Sequence, residues 1–99
     1  MKTIEKPEPL ALGEGKTMPF DVFVGALLNS DDRFNSNGRG IRAAVRIEQA
    51  LKECVDADSL KLEDDDHALL AQVIEAPTGG YPVRPSRFCV TFIDAIVKA

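Results

Sequence analysis

Six arginines dominate the chemistry this chain could offer. They fall in two glycine-marked segments, with Arg33, Arg39, Arg42 and Arg46 in RFNSNGRGIRAAVR and Arg84 and Arg87 in GGYPVRPSR, and neither segment contains an acidic residue. A guanidinium presents a planar fork of donors matched to carboxylates, phosphates and protein interfaces. Gly38 and Gly40 stand at the start of a predicted helix, and Gly79, Gly80 and Tyr81 precede another. Free backbone N–H groups at such places, joined by arginine, can cradle an anion, and a tyrosine ring can stack on a base. Two uses follow: a face that docks a protein, or, if the two loops converge, a pocket for an anionic small molecule such as a nucleotide. Neither Gly-x-Gly-x-x-Gly nor the lysine-containing phosphate loop is present.

Other candidates are weaker. His67 is the only histidine and follows Asp64, Asp65 and Asp66. Zinc would want more nitrogen or sulfur ligands, and an EF-hand needs alternating ligands with a central glycine. The reading is therefore an acidic helix start with a solvent-exposed histidine and no metal. Cys54 and Cys89 lie on the apolar sides of predicted helices and read as small core hydrophobes, not as a disulfide or a nucleophile. No catalytic constellation and no cofactor signature emerges, so the expectation is binding without catalysis.

Charge sharpens this. The chain is acidic, with a net charge of −4, which argues against general nucleic-acid binding. Four arginines and no acid occupy residues 33–46, whereas residues 48–66 hold eight acids and two lysines. Such asymmetry suits pairing between two faces of one small fold, or between copies of the chain, making a homo-oligomer an expected state. No apolar run approaches the ~20 residues of a membrane span. The first residues lack the apolar segment of a signal peptide, so a cytoplasmic setting is expected.

The elements that must position these residues read as follows. Ninety-nine residues suit one domain. Residues 1–16 form an extended arm, interrupted by Pro7 and Pro9, with a tight turn at Gly13, Glu14 and Gly15. The first helix has Thr17 as its cap, Pro19 in its first turn, and Phe20, Phe23, Val24, Leu27 and Leu28 as one apolar face. A long charged loop, SDDRFNSNGRG, follows, and its length predicts mobility or function. The second helix spans about residues 40–55 and buries Ile41, Ala44, Ile47, Leu51, Cys54 and Val55, so that Arg39, Arg42 and Arg46 share an outward row. Glu48 falls within its apolar arc and calls for a partner or a subunit boundary. Leu60 and Leu62 make a short extended piece able to pair with the arm. Acidic residues 63–66 open a third helix, each favoured there by ~0.3–1 kcal/mol, and it stops before Pro77. The last segment, SRFCVTFIDAIVKA, fits a helix, although Phe88, Val90 and Phe92 also alternate as in a strand. The predicted class is thus mainly α: a small bundle of about four helices with a short two-stranded β element.

This layout resembles that of short phage and prophage accessory proteins. The matching pieces are residues 10–15, 20–28, 41–51, 60–70 and 85–96. The resemblance implies a context, morphogenesis or takeover of the host, with a host or virion protein as partner. It carries over no activity and no functional residue.

Overall fold

A computed structural model describes all 99 residues. The first strand, β1 (Lys2–Glu5), pairs antiparallel with β4 (Ser59–Leu62), so the N-terminal arm does join the Leu60–Leu62 piece. In this register Ile4 lies opposite Leu60, and both are fully buried, while their neighbours Thr3 and Lys61 face solvent. That alternation is the period-two pattern of a half-buried strand. A second hairpin, β2 (Leu10–Gly13) with β3 (Lys16–Met18), turns through Gly13, Glu14 and Gly15. All three residues take positive φ, which glycine tolerates without penalty and which Glu14 adopts at 53°. Beyond β1 the chain is tied down by Lys6, whose ammonium donates to Asp21 at 3.0 Å and to the Cys54 carbonyl.

The four helices are α1 (Phe20–Ser30), α2 (Gly38–Glu53), α3 (Asp64–Glu75) and α4 (Val90–Val97). The protein is mainly α with two small two-stranded sheets. The ambiguous last segment is helical, entered through a 3-10 turn at Ser86–Cys89. No helix is long and apolar enough to cross a membrane. The predicted apolar face of α1 is buried in full. Its rings pack edge-on against α4, with Phe92 centred 5.3 Å from Phe20 and 5.0 Å from Phe23. Truncating a ring buried this way costs about 3–5 kcal/mol.

Two helix starts differ from expectation. Pro19, not Thr17, occupies the N-cap of α1, because Thr17 is engaged in β3. Helix α2 begins at Gly38, two residues early, because the side chain of Asn37 accepts from the Gly40 amide at 2.8 Å and caps it. The loop before α2 is not slack. Asp32–Phe34 forms a 3-10 turn that buries Phe34, and the Asn35 amide donates to the Leu28 and Asp31 carbonyls at 2.9 and 2.7 Å, closing the end of α1.

The buried side of α2 also differs. Gly40, Ala43, Ile47 and Leu51 face the core, while Ile41 and Val55 are exposed. The reason lies at Gly40. A Cβ there would sit 1.7 Å from the Arg33 carbonyl oxygen, so the loop backbone lies directly on the helix. Small residues at 40 and 43 permit that approach and rotate Ile41 outward.

Candidate functional site

The two arginine-bearing loops do meet in space, through Asp31. Its carboxylate is completely buried between them. It accepts from the Arg33 amide at 2.9 Å, from the Arg33 guanidinium at 3.0 and 3.1 Å, and from the Thr78 amide at 2.8 Å. Burial pushes the Asp31 carboxyl up, but the Arg33 side chain and the two amides outweigh it and hold it below its ordinary value. Hydrogen bonding to Asp31 correspondingly raises Arg33. The other end of Arg33 donates to the Ala76 and Gln72 carbonyls at the C-terminus of α3. There it satisfies orphan carbonyls and complements the helix dipole.

Tyr81 serves the same end of α3. Its hydroxyl donates to the Ile74 carbonyl at 2.6 Å, and burial followed by the nearby Glu75 charge raises its pKa. The hydroxyl therefore closes the helix, and the half-buried ring packs against the core. Gly79 packs against Ser30, where an added Cβ would meet the Ser30 carbonyl oxygen at 3.0 Å. Gly80 supplies a positive φ in the turn. The meeting point of the loops thus presents a carboxylate and helix-terminal carbonyls. That carboxylate is buried and neutralised by Arg33, and Gly40, Gly79 and Tyr81 have packing roles.

The arginine row of α2 divides. Arg46 bonds Asp66 in bidentate fashion, with contacts of 2.9, 3.2 and 2.7 Å. These bonds raise the Arg46 pKa, aided by the charges of Asp65 and Glu63. Asp66 is consequently buried and is not one of a set of exposed acids at a helix start. Arg46 is a structural partner, so removing it would leave a buried carboxylate unpaired. Arg39 and Arg42 make no ion pair and are exposed. Arg42 leans back along the helix, with its guanidinium 3.5 Å from where a Cβ on Gly38 would lie. An open groove of about 470 Å³ runs between α2 and α3, lined by Arg33, Arg39, Arg46, Asp65, Asp66 and Gln72 among others. Its charges are mixed and largely satisfied.

Arg84 and Arg87 are also exposed and unpaired. The Arg87 guanidinium lies 5.7 Å from the centre of the Phe88 ring, and Phe88 and Val90 are 44% and 53% exposed. This pairing of free arginine with exposed aromatic and aliphatic surface was missed from the sequence, because the helical reading of residues 86–99 placed Phe88 on its buried side.

His67 is likewise buried. Its Nε2 lies 2.7 Å from the Ile96 carbonyl oxygen and joins α3 to α4. Cys89 is fully buried, and burial raises its thiol against the opposing effect of a Val83 backbone hydrogen bond. Cys54 is half-buried, and both cysteines are free. Glu48 stands exposed, paired to Lys52 at 3.6 Å one turn along α2. No three His, Cys, Asp or Glu side chains converge as a metal would require. The chain matches no protein-family model, no curated protein and no solved structure.

Proposed function

We propose that this protein acts by binding other proteins through its unpaired arginines, with the four helices working as one bundle that presents them. The observation that supports this reading most directly is the surface of residues 84–90. There, the guanidinium of Arg87 lies against the ring of exposed Phe88, with exposed Val90 two residues on, and neither Arg84 nor Arg87 has a carboxylate partner. Arginine and aromatic side chains are the residue types that dominate binding energy at protein interfaces. In a chain of net charge −4, guanidinium groups left unpaired are available to an acidic partner surface. A phage accessory protein working on a host or virion protein in the host cytoplasm is the setting we propose, on the strength of its sequence layout.

The test is affinity capture from host lysate, followed by titration of the purified captured protein. Arg84→Ala with Arg87→Ala, and separately Phe88→Ala, should weaken binding about tenfold or more, with unchanged circular dichroism. Equal affinity in both variants would reject this face.

A further inference from the structure

We infer that Asn37 and Gly38 form a site of self-modification, at which the Gly38 amide nitrogen displaces the side-chain nitrogen of Asn37 and turns the cap of α2 from asparagine into aspartate or isoaspartate. It stands apart from the proposed binding role.

The chain has three asparagines, Asn29, Asn35 and Asn37, and the fold treats them differently. The reaction needs a following backbone nitrogen free to attack and a side-chain nitrogen free to leave. Asn29 lacks the first, because Ser30 is still within α1 and its amide belongs to the helical ladder. Asn35 lacks the second, because its side-chain nitrogen donates to the Leu28 and Asp31 carbonyls at 2.9 and 2.7 Å. Asn37 has both. Gly38 is the first residue of α2, so its amide is one of the orphan donors of a helix start, and no acceptor in the chain takes it. Residues 37 and 38 are exposed, and Gly38 has no Cβ to obstruct the approach. Only the side-chain oxygen of Asn37 is engaged, by the Gly40 amide at 2.8 Å.

The atoms balance without any partner but water. The Gly38 nitrogen bonds to Cγ of Asn37, and the bond from Cγ to the side-chain nitrogen breaks. The Gly38 proton leaves with that nitrogen, as ammonia. Water then opens the cyclic imide at one of its two carbonyls. Opening at Cγ gives aspartate, and opening at the main-chain carbonyl gives isoaspartate. Attack passes through an anionic nitrogen. Residues 33–46 carry four arginines and no acid, which favours that anion. The Arg42 guanidinium lies 3.5 Å from where a Cβ on Gly38 would be.

The cap that exposes the pair also restrains it. Asn37 is extended, with φ −148° and ψ 158°. This keeps the Gly38 nitrogen turned away from Cγ, so the first turn must open before the ring can close. Opening is opposed by the Arg33 backbone, which packs on Gly40. Modification therefore proceeds at the pace of local opening at the start of α2. Aspartate at 37 keeps the cap and adds a carboxylate at the positive end of the helix, in the groove that Asn37 shares with Arg39. Isoaspartate lengthens the backbone and loses the cap.

Incubation of the purified full chain in mildly alkaline buffer, with fragmentation mass spectrometry to locate each conversion, tests this. Asn37 should convert while Asn29 and Asn35 stay intact. Conversion in urea should be faster by about tenfold or more, because the first turn no longer has to open. Gly38→Ala should slow conversion in urea about tenfold, since a Cβ obstructs the attacking nitrogen. Gly40→Ala, which forces the loop off the helix, should speed conversion in buffer about threefold or more. Asn37→Asp should melt at or above the wild type. Conversion of Asn35 before Asn37, equal rates in buffer and urea, or a folded chain unconverted after about a hundred urea half-lives would overturn the site. So would a Gly40→Ala protein that converts no faster than the wild type, or an Asn37→Asp protein that melts below it.

Discussion

Gly40→Ala offers a test of sign as well as size. By helix propensity alone the substitution is favourable, since alanine exceeds glycine by up to ~1 kcal/mol in a helix. The structure reverses that expectation. The new Cβ would lie 1.7 Å from the Arg33 carbonyl oxygen, against ordinary contacts that begin at 3.4 Å, so helix and loop must part by about 1.7 Å. The loop is poorly placed to yield. The Arg33 amide and guanidinium are held by Asp31, and the neighbouring Phe34 ring is buried. Overpacking typically costs ~1–3 kcal/mol and sometimes more, and a backbone obstacle held at several points belongs at the upper end. After the propensity gain, a net loss of about 2 kcal/mol remains. For a chain of this size that lowers Tm by roughly 8–16 °C. Gly25→Ala supplies the control, because an added Cβ in the middle of α1 meets nothing within 4 Å. It should stabilise by about 0.4–1 kcal/mol and raise Tm. Thermal unfolding followed by circular dichroism measures both. A Gly40→Ala protein melting at or above the wild type would refute the proposed contact between the loop and α2.

Two further predictions concern the buried carboxylates. Asp31 is held below its ordinary pKa in the fold, so its contribution is fully present above the unfolded value of about 3.9 and is lost as pH falls through the folded value. Asp31→Asn should be less stable than the wild type at pH 7 and should lack this part of the acid loss. Urea titrations between about pH 2 and pH 7 would show the two stability curves converging at low pH, and parallel curves would count against the Asp31 latch. Arg46→Ala should lower the urea midpoint, because buried Asp66 loses its bidentate partner, whereas Arg42→Ala should leave the midpoint of the monomer unchanged. Equal effects of the two substitutions would mean that the row is not divided as described.

Much of the fold is legible where burial follows from side-chain size and period. The face of α1 is such a case: Phe20, Phe23, Val24, Leu27 and Leu28 are all large and all buried. The pairing of β1 with β4 is legible in part, since Leu60 and Leu62 alternate with Lys61. Helix α2 is legible only in its second half, where Ile47 and Leu51 are buried as expected, because in its first half the larger side chain, Ile41, lies outside and Gly40 and Ala43 lie inside. Close approach of the Arg33 backbone selects Gly40 and Ala43 for the inside, and periodicity cannot register a neighbour distant in sequence. The same limit hides Asp31 and Asp66. Each looks like one acid in an acidic run, and only the positions of α2 and α3 and the loop after α3 make it a buried partner of arginine.

That division gives the remaining arginines their meaning. Arg33 and Arg46 show how this chain treats a guanidinium that belongs to the fold: it is given a buried aspartate and several hydrogen bonds. Carboxylates are not scarce, because the sequence has sixteen. Arg39, Arg42, Arg84 and Arg87 nonetheless stand without one. Arg39 lies in the first turn of α2, where the helix dipole opposes it, and Arg87 lies beside exposed Phe88. Folding alone gives no reason to keep positive charge in the first turns of a helix that has no acid there. The proposed binding role does give one, because another polypeptide would complete that surface.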